Sequence, residues 1–266
     1  MGYIDFHSHA FPDELAATTV SALAKVGNVQ PALDGTTADL LQSMARTNID
    51  RSVICSIATR PQQFAAILAW SRAIASEKLI PLASIHPDSA DIEGELAQIK
   101  AAGLAGIKLH PFYQDFFLGD PRLEPIFKGL IRHELLLVMH CGYDIGFPEE
   151  RRADPGQLRQ LIGRHPELQL VAAHLGSWQL WHEVESELLG EDIYLDLAFA
   201  LPYLDRAQAL RILENHRPER LLFGSDSPWA DQGAAIAAIK ELGLAKGLEE
   251  NILWKNGDEL LAQVLA

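Results

Sequence analysis

The chain has 266 residues, of which 48% are hydrophobic and 22% charged, and its formal net charge is −14. This acidic balance argues against nucleic acid or an anionic membrane surface as a partner. Two cysteines without CxxC spacing argue against a disulfide framework, and no apolar run approaches the length of a membrane span. With an apparent core strand at its start, the chain is predicted to be a cytoplasmic protein.

Strand-like segments recur along the whole chain, and their starts are roughly 25 to 50 residues apart. They cover residues 3–7, 52–57, 80–85, 106–110, 135–140, 168–174, 193–197 and 221–225. Every gap except the shortest contains a segment with helical apolar spacing. A helix is predicted to start near Thr36 and Thr37, and another over 231–242, with Asp231 as its N-cap and Gly243 at its end.

Eight alternating strands and helices predict an α/β protein with a (β/α)8 (TIM) barrel. An open, doubly wound sheet is less favoured, because no strand is followed by a GxGxxG motif or a phosphate-binding loop. The sequence has no linker, charge block or low-complexity segment at which to divide it. We therefore expect residues 1–266 to form one domain.

The first predicted strand ends in an unusual motif, Asp5-Phe6-His7-Ser8-His9. Side chains two residues apart on a strand project from the same face, so His7 and His9 can bind a single cation. Asp5, two residues earlier, is expected on that same face, in a supporting or core position.

Other strands also end in residues that can hold a metal or transfer a proton. They are Lys108 and His110 after the fourth strand, His140 after the fifth, His174 after the sixth and Asp226 after the eighth. The carboxyl ends of barrel strands meet at one mouth. Buried together there, these groups would be poorly solvated unless they bound something, and a divalent cation suits neutral imidazoles and a carboxylate. The set predicts a metal site.

Several motifs together resemble the amidohydrolase superfamily, and more narrowly its amidohydrolase-related branch, which includes aminocarboxymuconate semialdehyde decarboxylase-like enzymes. These are Asp5-x-His7-x-His9, Gly106-Ile-Lys-Leu-His-Pro111, His140-Cys-Gly142, Ala173-His-Leu-Gly176, Phe223-Gly-Ser-Asp-Ser-Pro-Trp229 and Ile252-Leu-Trp-Lys-Asn256. The resemblance covers nearly the whole chain. It implies a barrel with a metal at its mouth, usually zinc, and often a homodimer.

The resemblance also implies roles for individual residues. It makes His7, His9, His140 and Asp226 the ligands of the principal metal, and His174 a proton donor or acceptor or a ligand of a second metal. Lys108 has three interpretations: a carboxylated bridge between two metals, a partner of a substrate carboxylate or another acid, or a solvated lysine. We expect one Zn2+ and leave open a second metal or another divalent ion. Asp226 and His174 are the expected catalytic residues.

The substrate pocket is expected among residues that follow the strand ends. Trp229, Arg60 and His110 are the predicted substrate-binding residues, with Arg60 able to hold a carboxylate through two hydrogen bonds. Further aromatic candidates are Phe11, Phe112, Tyr113, Trp178 and Trp181. The expected partner is a small molecule.

These residues support three hypotheses for the function. The first is a metal-dependent hydrolase of a small ester, lactone or amide, including carboxylate-bearing ones. The second is a metal-dependent, non-oxidative decarboxylase or hydratase of an unsaturated or aromatic acid, which would release carbon dioxide without consuming water. The third is a catalytically silent barrel that binds a metal or ligand. The complete set of metal-binding positions argues against the third.

Overall fold

Parallel strands alternate with helices in the computed structural model, which describes residues 2–266. The strands are β1 (Tyr3–Ser8), β2 (Ile49–Cys55), β3 (Leu79–Leu82), β4 (Gly106–Leu109), β5 (Leu136–Met139), β6 (Leu170–Ala172), β7 (Tyr194–Asp196) and β8 (Leu221–Leu222). The helices are α1 (Asp13–Gly27), α2 (Thr37–Thr47), α3 (Phe64–Ile74), α4 (Ile92–Ala101), α5 (Glu124–Arg132), α6 (Pro155–Arg164), α7 (Trp181–Glu187), α8 (Arg206–Asn215), α9 (Gln232–Glu241), α10 (Lys246–Glu250) and α11 (Asn256–Val264). A π-helical turn, Asn251–Lys255, joins the last two.

The strands form a closed barrel. Strands β1 to β3 pair in parallel in chain order, as do strands β4 to β8. A parallel bridge between Ala83 and Ile107 joins the two groups on one side, and a bridge between Ser8 and Ser227 joins them on the other. This arrangement confirms the predicted (β/α)8 barrel.

The predicted elements are all present, with two differences. The shortest gap, where no helix is expected, contains α7 of seven residues. The last strand is only two residues long, and the backbone N–H of the next residue, Phe223, donates to the carbonyl oxygen of Ile252 in the π-helical turn. Asp231 caps α9 as predicted, and Thr36 caps α2; each side chain accepts a hydrogen bond from the backbone amide three residues on.

Two apolar layers hold the barrel together. The larger lies between the strands and the surrounding helices. The smaller lies inside the barrel, where Ile4 and Phe6 of β1 pack with Leu260 and Leu261 of α11. Within the described residues, no helix has the length and apolar character needed to cross a membrane.

Candidate metal centre

A bulge in β1 sets the direction of His7, the first predicted metal ligand. Asp5 pairs with Ser52, but Ser8 pairs with Ile54, so β1 carries one extra residue between these positions. The extra residue reverses the alternation of side chains. Asp5 accepts hydrogen bonds from Ser225 and Gln232, towards α9 outside the barrel, whereas His7 points into the cavity. The expectation that Asp5 and His7 share a face is therefore wrong.

His7 is held from behind by a buried carboxylate. Its Nδ1 lies 2.9 Å from Oδ2 of Asp196 in β7, whose other oxygen accepts the backbone N–H groups of His174 and Ala198. Burial and the charge of Lys108 hold the pKa of His7 well below its usual range, so the ring is neutral. The carboxylate fixes the proton on Nδ1 and leaves the Nε2 lone pair facing the cavity.

His9 is held in the same way by a carbonyl oxygen. Its Nδ1 lies 2.7 Å from the carbonyl oxygen of Cys55, and its Nε2 lies 3.1 Å from Oδ1 of Asp226. Because the carbonyl can only accept, the Nδ1 atom carries a proton. An Nε2 lone pair this close to a carboxylate is favourable only with a proton or a metal cation between them.

Asp226 completes the group. Its backbone is in the left-handed region, with φ of 66°, and its N–H donates to the carbonyl oxygen of His7. Burial alone would raise the pKa of Asp226, but the hydrogen bond with His9 and the proximity of His7 hold it well below its usual range. Ligand atoms of His7, His9 and Asp226 lie within 4.8 Å of one another. Two imidazoles and an ionised carboxylate at this spacing fit a divalent cation.

His140, the fourth predicted ligand, lies in a different group. Its Nε2 is 2.8 Å from the carbonyl oxygen of Tyr143, and its ring stacks on His110 with centroids 4.1 Å apart. The Nε2 of His110 in turn lies 3.3 Å from Oδ2 of Asp144. Ligand atoms of His110, His140 and Asp144 also lie within 4.8 Å of one another. The loop after β5 places the carbonyl oxygen of Tyr143 against Nε2 of His140, so the Nδ1 atom of this ring is the one left to face the site.

His174 lies between the two groups. Its Nδ1 is 3.0 Å from the carbonyl oxygen of Ala198, and its Nε2 is 2.9 Å from Nδ1 of His140. Burial lowers the pKa of His174 to about 4 and also lowers that of His140, so both rings are neutral near pH 7. Each neutral ring donates its single N–H proton to a carbonyl oxygen, so two lone pairs face each other and need a proton or a cation between them.

Lys108 is buried in the middle of the site, with only 1% of its surface exposed. Its Nζ lies 3.0 Å from Nε2 of His7. In residues 2–266, no carboxylate oxygen lies within 4 Å of this ammonium group. The lysine therefore faces the His7 side of the centre and is neither solvated nor part of an ion pair.

The residues of the candidate metal centre line a cavity of about 460 Å³. The predicted substrate residues Trp229 and His110 line it, as do Phe11, Tyr113 and Trp178, whereas Phe112 and Trp181 do not. Arg60 also lies outside the lining: it is exposed at the start of a 3-10 turn, while the neighbouring Thr59 and Gln63 reach the cavity.

Two acidic residues of the centre were not identified in the sequence, Asp144 and Asp196. Asp196 lies within an otherwise apolar predicted strand, which is an unusual place for a charge. Asp144 follows His140 by four residues in a loop, and nothing in that spacing distinguishes it from a solvated loop residue.

The fold is shared with several solved structures. An uncharacterized TIM-barrel protein from Bordetella bronchiseptica has a TM-score of 0.79 at 21% identity, over 99% of both chains. A protein from Pseudomonas putida, assigned as a 2-pyrone-4,6-dicarboxylic acid hydrolase, has 0.68 at 16%, over 98% of both. A 5-carboxyvanillate decarboxylase from Novosphingobium aromaticivorans, with manganese and 3-methoxy-4-hydroxy-5-nitrobenzoic acid bound, has 0.70 at 11%, over 98% of this chain and 97% of that one.

Identities this low show a shared fold and nothing more. No curated protein matches the sequence significantly. The amidohydrolase family, however, matches residues 4–264, which is nearly the whole chain. The match agrees with the barrel and with the resemblance seen in the motifs. The chain therefore belongs to the amidohydrolase family of enzymes.

Proposed function

We propose that this protein is a metal-dependent hydrolase of a small ester, lactone or amide. The observation that carries the proposal is the arrangement of His7 and His9 around Asp226. Each ring gives its Nδ1 proton to an oxygen behind it and turns Nε2 towards the side of Asp226. This is how metal-binding histidines are usually held.

We propose that His7, His9 and Asp226 hold one divalent cation, with zinc as the expected ion. A bound zinc ion supplies Lewis acidity, which polarises a substrate carbonyl and makes water acidic enough to react near neutral pH. The decarboxylase neighbour holds manganese, so manganese is the first alternative. An ammonium group on Lys108, 3.0 Å from His7, disfavours a second cation unless that lysine is carboxylated.

The remaining steps are assigned to residues of this chain. Asp226 is ionised at neutral pH, because its pKa lies well below its usual range, and it accepts the proton of the attacking water. The same carboxyl group then returns that proton to the leaving group. His174 is neutral, its ring lies 5.4 Å from the ring of His7 between centroids, and it orients the substrate oxygen. Lys108 binds negative charge that develops on the substrate, or a substrate carboxylate.

A metal-dependent decarboxylase (or hydratase) is the second candidate. The observation in its favour is the wall of Tyr113, Trp178 and Phe199, which suits a flat unsaturated acid. In that reaction, a proton would pass to the substrate carbon from the side of His174, and carbon dioxide would leave. One structural neighbour is a decarboxylase and another is assigned as a hydrolase, so both reactions occur on this fold.

The first experiment is the metal content per chain, measured by elemental mass spectrometry on protein purified without added metal or chelator. One equivalent supports the proposed site, whereas two would indicate a second metal at His140 and His174 with Lys108 carboxylated. No metal, with none taken up from zinc solution, would overturn the enzyme proposal in favour of a silent barrel. Assays with p-nitrophenyl acetate, simple lactones and aromatic acids, read as product and as carbon dioxide, then separate hydrolysis from decarboxylation.

The assembly and location of the protein remain predictions. We propose that residues 1–266 act as one domain and that the protein is a cytoplasmic homodimer, as the family resemblance implies. Sedimentation velocity measures the mass of the particle directly, and a monomer at micromolar concentration would contradict the dimer.

A further inference from the structure

The cavity extends well beyond the metal centre, along one face of α1. Leu15, Thr19, Leu23 and Gly27 line it, and they are spaced four residues apart. Residues at this spacing lie above one another on a helix. Twelve residues of helix correspond to about 18 Å, so the lined face is much longer than a single aromatic ring.

The opposite wall is formed by α3 and the loop before it. Ala66, Ile67 and Trp70 of α3 line the cavity together with Ile57. Neither wall contributes a charged side chain. The acidic, basic and imidazole side chains of the lining all belong to the candidate metal centre and its surroundings: His7, His9, Lys108, His110, His140, Asp144, His174 and Asp226. The outer part of the cavity is therefore an uncharged and mostly apolar channel, whose polar residues include Thr19, Thr59 and Gln63, that leads to a polar floor.

The outer end of this channel exposes apolar side chains to water. Leu15 and Ile145 line it and are 53% and 47% exposed, and Val26 nearby is 55% exposed. Helix α1 is an addition to the barrel, because a second helix, α2, follows it before β2. An apolar strip of this kind, continuous with a reactive centre, indicates an apolar ligand.

We propose that the substrate carries an elongated apolar substituent, an acyl or alkyl chain, that lies between α1 and α3 while its reacting group contacts the metal centre. Only the placement of the substrate's reacting group at the metal centre rests on the proposed function; the placement of its apolar substituent does not. A substrate with a second carboxylate at the far end is disfavoured, because the channel offers no cation and Arg60 lies outside it. A compact aromatic acid would leave the face of α1 uncovered.

Binding of n-alkyl hydroxamates, from acetyl to octanoyl, to the zinc-loaded protein tests the proposal by calorimetry. Hydroxamates chelate zinc, so the head group is fixed while the chain grows along the channel. We expect the affinity to rise by up to about fourfold for each buried methylene, equivalent to ~0.8 kcal/mol. A flat dependence on chain length would overturn the proposal.

Two matched pairs of variants test where the acyl chain of the ligand lies. Thr19→Trp and Ala66→Trp place an indole in the channel, and each should abolish the dependence on chain length while acetohydroxamate binds as before. Thr18→Trp and Ala65→Trp, at exposed neighbouring positions outside the lining, should change nothing. Equal behaviour of the two members of each pair would contradict the channel.

A second series separates this inference from the proposed function. Linear alcohols from butanol to octanol need no metal, and their binding to metal-free protein is measured in the same way. If hydroxamates fail to bind but affinity for alcohols still rises with length and is lost in Thr19→Trp, the metal site is wrong and the channel stands. If neither series depends on length, the channel is wrong.

Discussion

Two clusters of the same composition lie side by side at the mouth of the barrel. His7, His9 and Asp226 form one, and His110, His140 and Asp144 form the other. Each offers two imidazoles and a carboxylate within 4.8 Å. By residue type and distance alone, the two are equivalent candidates for a metal site.

The partner of the second ring nitrogen distinguishes them. In the first cluster, an oxygen behind each ring holds the Nδ1 proton and leaves Nε2 towards Asp226. In the second, Nε2 of His140 faces a backbone carbonyl, and Nδ1 of His110 has no partner among residues 2–266. The rings of the second cluster stack on each other instead of converging on a point. Both rings of the first cluster are held by an oxygen behind them, whereas in the second cluster only His140 is, and this difference favours the first cluster as the candidate metal centre.

The largest expected loss of turnover comes from replacing Asp226, the carboxylate of the first cluster. Asp226→Asn keeps the shape of the side chain but removes the proton acceptor and a negative ligand. We expect turnover to fall by about a thousandfold, within the range for loss of a general base. Thermal unfolding should show a folded protein, because the apolar layers of the barrel do not involve this charge.

Asp144→Asn makes the same chemical change in the second cluster. If the hydrogen bonding distinguishes the clusters as argued, this variant keeps the metal content of the wild type and most of its turnover. Loss of metal in Asp144→Asn with metal retained in Asp226→Asn would reverse the assignment. Near-full turnover of Asp226→Asn would show that the proposed role of its carboxylate is wrong.

Much of this architecture is readable in the sequence, because a barrel repeats its pattern. Each parallel strand is covered on both sides and appears as an apolar run, and each turn places a residue at the same mouth. His7, His9 and Asp226 could therefore be grouped without coordinates. Helix α9 was also predictable, since Asp231 and Gly243 mark its ends.

The remaining features depend on single-residue geometry. The bulge in β1 turns Asp5 away from His7, and no residue type in this segment indicates a bulge. His140 turns towards the carbonyl of Tyr143, an acceptor whose position only the folded loop defines. Asp196 is recognisable as unusual in its strand, but its role depends on the facing ring of His7.

A smaller effect, on zinc affinity, is expected from replacing Asp196, the carboxylate that holds Nδ1 of His7. The oxygen of Asp196→Asn can still accept the backbone N–H groups of His174 and Ala198, but its NH2 group then faces His7 and cannot accept the Nδ1 proton. We expect zinc affinity to fall by about 10- to 100-fold, as for other residues that orient a metal ligand. Competition with a chelator measures this. Asp192→Asn, at an exposed ion pair, should bind zinc like the wild type, and equal affinity in both variants would exclude the positioning role.

The smallest expected effect is a change in acid stability that comes from the second cluster. Burial lowers the pKa of His110 to about 4 from its usual 6.5. Between these values the unfolded chain holds a proton that the folded protein lacks, so stability falls as the pH is lowered from 6.5 to 4. This one group accounts for about 3 kcal/mol of that loss.

His110→Gln removes the group that binds this proton in the unfolded chain. The slope of unfolding free energy against pH, measured by urea denaturation, should decrease by up to about 1.4 kcal/mol per pH unit over this window. His182→Gln, at an exposed position on α7, is the control and should keep the wild-type slope. An unchanged slope in His110→Gln would mean that His110 is already protonated in the folded protein. The ring would then be an ionic partner of Asp144, and the second cluster would differ from the first by its charge as well as by its hydrogen bonds.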